Sequence, residues 1–497
     1  MVFTIEEILI WLCVLFVAGA IYWYAAIPKN LPPGPIGLPF LGSSLDYRNG
    51  SDQHVVLLKH LKKYGPIFKL YIANKLVLIL GDFDTIYEAL VKKADVFAGR
   101  PQLFAFMPEK CRNHGVIFSE GELWKEQRRF ALTTLRDFGF GRPILEPRIK
   151  EEIERLNEHI EEYASTKTPF DPQRLVTCAV SNIINQLIFG RRFSYDDEEF
   201  VRQFTALSKR ASGAGVGFLS PFLLSNTLSS VMSKVPFVRR LRAEADDFMD
   251  YTEREMNKTK ETFDPDSEPS NYIHAYMKAA LEQKSEFFTD NQLLSMVVDL
   301  FIAGTETTST STRWALLLLA HNPDVQDKLY QEIRDQVGTS ILPTYADRIK
   351  LPYAEAVIME IQRAGNLLPF GVARRTLQRT NMNGYDIPED TIVVPFLQNV
   401  MLNEELYKDP LKFDPTRFLD SNGKVIRDPK MIPFQAGKRV CLGEPLARME
   451  LFLLVVGLIS RFKFYFRNDQ PKPTLKPVVG LSSTPAPYEI YVKTRND

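Results

Sequence analysis

The chain has 497 residues, enough for two or three domains of ordinary size, and 45% of them are hydrophobic, a normal globular share. Lys and Arg number 61 and Asp and Glu number 61, so the balance of charge offers no general attraction for nucleic acid. The four cysteines, Cys13, Cys111, Cys178 and Cys441, are widely spaced and form no C-x-x-C pair, which argues against a disulfide framework or a zinc site and for a reducing compartment.

The first element is an apolar run. From Ile8 to Ile27 there is no charged residue, and Trp11, Tyr22, Trp23 and Tyr24 lie near its ends. About twenty apolar residues cross a bilayer as a helix, and Trp and Tyr favour its interfaces. Glu6 and Glu7 precede the run and Lys29 follows it, which by the positive-inside tendency places the body in the cytosol. A cleaved signal peptide is the competing reading, but it calls for basic residues first and a shorter apolar stretch. With a cytosolic body the sequons at Asn49 and Asn257 go unused. Residues 1–28 are therefore expected to be a retained membrane anchor. Residues 29–43, with Pro32, Pro33, Pro35 and Pro39, read as a stiff extended connector, and 44–497 as the body.

Past the connector, Ile67–Tyr71 and Leu76–Leu80, with Asn74 near the turn, predict a pair of strands. Helical periodicity then dominates from Glu122 to about Gly457, with long stretches at Pro147–Tyr163, Ala243–Thr259, Thr289–His321 and Val325–Gln336. Between Arg210 and Arg239 the only charged residue is Lys234; this apolar run, broken by Pro221 and Pro236, reads as a membrane-surface segment or as two short buried helices. Gly213-Ala214-Gly215-Val216-Gly217 lacks the spacing and the preceding strand of a dinucleotide loop, and no P-loop occurs. The chain is thus not expected to take hydride from NADPH itself, and electrons must arrive from another protein. Short β-like pieces at Asp386–Val394 and Tyr488–Lys493 complete a mainly α body with a small β lobe.

Four segments carry chemistry. Phe434-Gln435-Ala436-Gly437-Lys438-Arg439-Val440-Cys441-Leu442-Gly443 has the pattern F-x-x-G-x-R-x-C-x-G, with an apolar helix pattern starting at Pro445. A cysteine just before a helix N-terminus is favoured as thiolate, and Gly437 and Gly443 can take positive φ to pass close to a flat ligand. Such a thiolate suits one axial bond to haem iron. In Phe301-Ile302-Ala303-Gly304-Thr305-Glu306-Thr307-Thr308-Ser309-Thr310-Ser311-Thr312, hydroxyl side chains crowd an otherwise apolar helix, which is costly unless something uses them. Glu360-Ile361-Gln362-Arg363 places two opposite charges on one helix face. Trp124 and Arg128, one helical turn apart, can meet one carboxylate.

These segments resemble the cytochrome P-450 family of haem-thiolate monooxygenases over nearly the whole chain, in particular the microsomal branch that handles drugs, steroids and fatty acids. The resemblance implies haem b, with Cys441 as the iron's ligand within the loop of Phe434, Gly437, Arg439 and Gly443. It implies Trp124, Arg128 and Arg439 at the haem propionates, with Arg100 a further candidate and Arg374 standing where many relatives carry histidine. Gly304 would leave room for dioxygen, Ala303, one turn before Thr307, would face the haem or substrate, Thr307 would hydrogen-bond dioxygen, and Glu306 would help relay protons. Glu360, Arg363 and Arg417, the last in Pro415-Thr416-Arg417-Phe418, would brace the cysteine loop. Phe104, Phe106, Leu300, Phe301, Ala303, Leu367, Leu368, Phe370 and Leu481 would form an apolar substrate pocket. The expected reaction hydroxylates or epoxidises an apolar small molecule with O2 and electrons from NADPH through NADPH-cytochrome P-450 reductase, with cytochrome b5 a further donor, at the endoplasmic reticulum membrane. Lys125, Arg129, Arg136, Lys438 and Arg448 would offer that donor a basic face, or are an ordinary solvated surface. The alternatives are a haem-thiolate isomerase or dehydratase, which often lacks the acid–alcohol pair present here, and a haem carrier without catalysis.

Overall fold

A computed structural model describes residues 4–39, 41–47, 52–101, 109–211 and 236–495. Phe104, Phe106 and the apolar run over 212–235, with its glycine-rich stretch, lie outside the described residues.

Helix α1, Ile5–Ala25, opens with a capping box in which Thr4 and Glu7 satisfy each other's backbone N–H groups. It is long and apolar enough to cross a membrane, with a mean hydropathy of 2.2 and none of that window buried. Its far end touches the body: Tyr24 donates to the Gly37 carbonyl at 3.1 Å, and Trp23 meets Tyr71 edge-on. The proline-rich connector is docked as well, since the Lys69 N–H donates to the Pro33 carbonyl and Gly42 bridges to Ile72. Only glycine allows that approach, because a Cβ on Gly42 would lie 2.0 Å from the Tyr71 carbonyl oxygen.

After α2, Gln53–Tyr64, the predicted strand pair forms as β1, Ile67–Ile72, and β2, Lys75–Leu80, antiparallel around Ala73 and Asn74. The helical body follows: α3, Phe83–Tyr87; α4, Gly121–Asp137; α5, Glu146–Thr166; α6, Pro172–Ile188; α7, Glu198–Ala211; α8, Pro236–Lys260; α9, Tyr272–Gln283; α10, Asp290–His321; α11, Pro323–Gln336; and α12, Pro352–Gly365. The four long stretches read from periodicity all appear, within a few residues except that α8 begins earlier, at Pro236. The piece expected at Asp386–Val394 is two strands, because a turn at Pro388–Asp390 interrupts it. Strands β3, Arg374–Arg375, and β6, Ile392–Pro395, complete a four-stranded sheet in the order β1-β2-β6-β3, while β4, Thr380–Met382, and β5, Tyr385–Ile387, form a separate hairpin. Then come α13, Leu397–Met401; α14, Glu444–Arg461; β7, Phe462–Tyr465; the hairpin β8, Pro477–Val479, with β9, Ser483–Pro485; and β10, Tyr491–Thr494, which pairs with β7.

Helix α10, capped by the Thr289 hydroxyl, is the central beam, with α6, α8, α12 and α14 packed against it. Its 32 residues span about 48 Å at 1.5 Å per residue. The main core runs along it, with Leu293, Val297, Phe301, Leu316 and Leu319 meeting Ile183 of α6 and Leu453 of α14 in one apolar mass. A long buried helix beside the N-terminus of α14 sets up a cavity between them.

Candidate functional site

That cavity, about 250 Å³, is walled by α10, α14, the segment before β3 and the cysteine loop. One water needs roughly 10–15 Å³ of such space, so a far larger guest fits. Leu300, Ala303, Gly304 and Thr307 from α10, Leu367 and Leu368 after α12, and Phe434, Val440, Cys441 and Gly443 all line it.

The cysteine loop is built so that its sulfur faces this space. The Cys441 N–H donates to the Phe434 carbonyl at 3.1 Å, closing the loop. Gly437 has φ 75°, and a Cβ there would sit 1.6 Å from the Leu90 carbonyl oxygen, so no side chain is tolerated. Gly443 departs from the expectation. Its φ is −85°, and a Cβ would meet Cys441 Sγ and Phe140 only at ordinary contact, 3.9 Å. Its part is played by its backbone: the N–H groups of Gly443 and Glu444, at the start of α14, favour the thiolate, as does Arg128. Burial outweighs them and raises the thiol pKa above its ordinary value, so the expected lowering does not hold for the free side chain.

Four arginines gather beside the sulfur. Arg439 donates to the carbonyls of Ala98, Val116 and Ser119 and lies over the Trp124 ring at 3.8 Å. Arg100 donates to the carbonyls of Ile117, Val372 and Ala373. Arg128 donates to Val440 O at 2.7 Å, and Arg374 to Gln435 Oε1 at 2.7 Å. Among the described residues no carboxylate hydrogen-bonds to these guanidiniums. Burial and mutual repulsion therefore lower their affinity for protons: Arg439 falls to about 8, Arg374 to about 9, and Arg100 well below its usual value. Nε and Nη1 of Arg374 and Nε1 of Trp124 are buried without a partner. Such a nest is unfavourable alone and asks for an anionic guest. Arg100, Arg128 and Arg439 reach the cavity wall itself, whereas Trp124 and Arg374 stand behind it.

On the opposite wall, Thr307 donates to Ala303 O at 2.5 Å. Glu306 points elsewhere, because neighbours on a helix are about 100° apart. It lies behind the wall, where Oε1 accepts from Thr310 at 3.0 Å and Ser482 at 3.4 Å. Gly304 lines the cavity and also serves packing, since a Cβ would stand 2.6 Å from Ile184 Cδ1 on α6. Of the expected pocket residues, Phe301 instead packs on Phe189 and Phe204, Phe370 stacks on Phe396 in the sheet core, and Leu481 is an exposed residue between β8 and β9.

Behind the loop, Arg363 holds Glu360 bidentately, Nε to Oε2 at 2.7 Å and Nη2 to Oε1 at 2.8 Å, both side chains fully buried. Arg417 and the Asp414 N–H also bond Glu360 Oε1. The basic surface is largely neutralised: Lys125 pairs with Glu122, Arg129 with Glu126, Lys438 with Asp95 and Arg448 with Glu444, while Arg136 is exposed.

Two acids at the cavity escaped sequence reasoning. Asp299 accepts from the N–H groups of Val116 and Ile117 at 2.6 and 2.8 Å and so ties that loop to α10, while burial raises its carboxyl to about 7. Glu450 lies on α14. Each is a lone acid in an apolar helical run, a signal the sequence does carry.

A sulfur and a nest of buried arginines that outnumber the nearby acids Glu120 and Asp299, on one largely apolar cavity, fit a planar group with acidic substituents and an iron centre, the arrangement of a haem-thiolate protein. The comparisons agree. Residues 32–492 match the model of the Cytochrome P450 family. The chain is 36% identical to Cytochrome P450 2C23 of Rattus norvegicus over 94% of both chains. It is 35% identical to Cytochrome P450 2U1 of Homo sapiens, over 94% of this chain and 90% of the relative, and 36% identical to Cytochrome P450 2D20 of Mesocricetus auratus, over 95% and 94%. The chain belongs to the cytochrome P450 family; it is a monooxygenase, and its cofactor is haem b.

Proposed function

We propose that Cys441 is the ligand of the haem iron and that Arg100, Trp124, Arg128, Arg374 and Arg439 hold the haem's acid groups. The observation that carries this is the buried arginine nest on the cavity that Cys441 faces, in which no described carboxylate hydrogen-bonds to a guanidinium and N–H groups of Arg374 and Trp124 lack a partner. Phe434, Gly437 and Gly443 shape the loop, and Glu360, Arg363 and Arg417 keep it in place. Haem bound through this sulfur supplies oxygen activation, which thiolate donation favours by promoting O–O cleavage.

The chain's own residues do the rest. Leu300, Leu367, Leu368 and Val372 keep the cavity apolar and short of water. Ala303 and Gly304 leave room on the α10 side, Thr307 presents its Oγ1 there, and Glu306, behind the wall, helps supply protons to it. The substrate class is an apolar small molecule, such as a steroid, a fatty acid or a foreign compound. Electrons come from NADPH through NADPH-cytochrome P-450 reductase, with cytochrome b5 a second donor. Because most of the basic cluster of Lys125, Arg129, Lys438 and Arg448 is paired with acids, that encounter rests less on free positive charge than the cluster alone implies. Residues 1–28 anchor the chain in the endoplasmic reticulum membrane, 29–43 orient it, and the body 44–497 faces the cytosol.

The test is Cys441→Ser in the haem-loaded, full-length protein. Loss of the red-shifted Soret band of the CO complex, with loss of turnover, is the expected result. An unchanged band and undiminished NADPH-dependent oxidation would remove Cys441 from the site.

A further inference from the structure

One residue of the loop that carries Cys441 has a side chain its backbone does not favour. Gln435 has φ 63°, in the left-handed region where a side chain adds strain and glycine does not. The other described non-glycine residues with positive φ are Asn or Asp, apart from Lys167 and Lys284 at helix ends and Ala73 in the β1–β2 turn. Gln435 belongs to none of these groups, so the reason for its side chain lies in what the side chain touches. We propose that Gln435 is a positioning residue for haem binding: its amide oxygen holds Arg374 against the cavity as a cation whose charge the chain does not cancel. The inference rests on the reading of Arg374 as a partner of the haem's acid groups and deepens it.

Three observations carry it. The first is the bond. Arg374 Nη2 donates to Gln435 Oε1 at 2.7 Å, and its other contact is a longer one, 3.4 Å, to the Arg439 carbonyl. Arg374 is 1% exposed, and its Nε and Nη1 lack a partner. Without Gln435 a long, rotamer-rich side chain would be held by the weaker contact alone. The second is place. Gln435 lines the cavity and Arg374 stands behind it. The Gln435 N–H donates to the Ile432 carbonyl at 3.0 Å, and Gly371 lies along the side chain, where a Cβ would stand 3.6 Å from Gln435 Cδ. The amide is thus fixed from its backbone and along its length, and the guanidinium it holds is drawn up to the cavity wall.

The third is charge. Arg363 and Arg417 are held by the Glu360 carboxylate, which offsets their charge. An amide oxygen accepts the same kind of bond and brings no charge of its own. The charges that act on Arg374 are those of Arg439 and Arg128, both repulsive. Arg374 is therefore held in place and still wants an anion. A carboxylate at position 435 would suit the haem-free chain better and the haem's acid groups worse.

The experiment times the transfer of haem from the full-length, haem-loaded protein to excess apomyoglobin at neutral pH. Gln435→Met keeps the length and the same Cβ but has no amide acceptor, and haem is expected to leave on the order of tenfold faster than from wild type. In the Arg374→Gln background the same change is expected to add less than about twofold, because Gln435 acts through Arg374. Gln435→Glu keeps the bond and adds a negative charge. Haem is expected to leave faster from it too, while its haem-free form unfolds at a higher temperature than wild type; a role in packing alone would move both readouts in the same direction. The red-shifted CO band reports the sulfur–iron bond itself, so its presence in the loaded variants separates this result from a failure at Cys441. Wild-type release from Arg374→Gln overturns the reading of Arg374 and this inference with it. Faster release from Arg374→Gln, with wild-type release from Gln435→Met or the full Gln435→Met effect persisting in the double variant, overturns the role of Gln435 alone.

Discussion

Two groups of arginines in this molecule are built on opposite principles. Arg363 and Arg417 surround Glu360, and each charge is met by a charge at 2.7–3.2 Å. The guanidiniums of Arg100, Arg128, Arg374 and Arg439 hydrogen-bond, among the described residues, only to backbone carbonyls and the Gln435 amide. The first group is complete as folded, and its work is to hold the strap from Met401 to Arg417, whose carbonyls at Met401 and Lys412 take further bonds from these two arginines. The second is incomplete, and its lowered proton affinities express burial first and then mutual repulsion, both of which a bound anion offsets. A saturated ion network thus reads as scaffold, and an unsaturated one as receptor.

The contrast breaks if the two groups answer mutation alike. Glu360→Ala strands two cations in a dry interior and is expected to cost about 3–5 kcal/mol, enough to prevent accumulation of folded haem protein. Chemical denaturation, or failure to recover any CO-binding protein, reads it out. Next in size is the loop the scaffold supports. Gly437→Ala forces a Cβ into Leu90 O at a positive φ and is expected to lose about 1–3 kcal/mol or more, with poor haem retention. Gly443→Ala, which meets only ordinary contacts, is expected to stay within about 1 kcal/mol of wild type. Equal losses in the two alanine variants, measured by thermal unfolding, would refute this account of the loop.

Much of this was legible in the sequence, for reasons that differ by element. The cysteine loop and the Glu360–Arg363 pair show because charged residues and glycines break an apolar helical pattern at fixed spacings. The α10 helix showed by its length and its Thr289 cap. What stayed hidden depends on which way side chains turn. Glu306 and Thr307 are adjacent in the chain, yet one faces Ser482 and the other the cavity. Phe301, two residues before Ala303, turns to Phe189 and away from the pocket. Gly443 reads as a backbone need in the pattern, but its φ is one that any residue adopts. The partners of Arg100, at Val372 and Ala373, are more than 270 residues away and only the fold brings them near.

The smallest expected effect separates receptor from scaffold most directly. Arg374 has a folded value of about 9 in the haem-free protein, well below its ordinary value, because burial and then Arg439 and Arg128 oppose its charge. Below about pH 9 it is charged in both folded and unfolded chains, and the penalty is fully present. Above about pH 9 the folded chain sheds the proton while the unfolded chain keeps it, so the unfolded state binds more protons and stability rises with pH. The haem-free protein is therefore expected to gain stability over this alkaline window relative to Arg374→Gln. At neutral pH, Arg374→Gln is expected to be as stable as wild type without haem, or up to about 1–3 kcal/mol more stable, yet to release haem faster. Haem, by supplying the missing anions, should abolish the alkaline gain. Equilibrium unfolding with and without haem at pH 8 and pH 10 gives the four values needed. If the haem-free and haem-loaded proteins show the same pH slope, Arg374 has its counter-charge from the chain itself and the nest is no receptor.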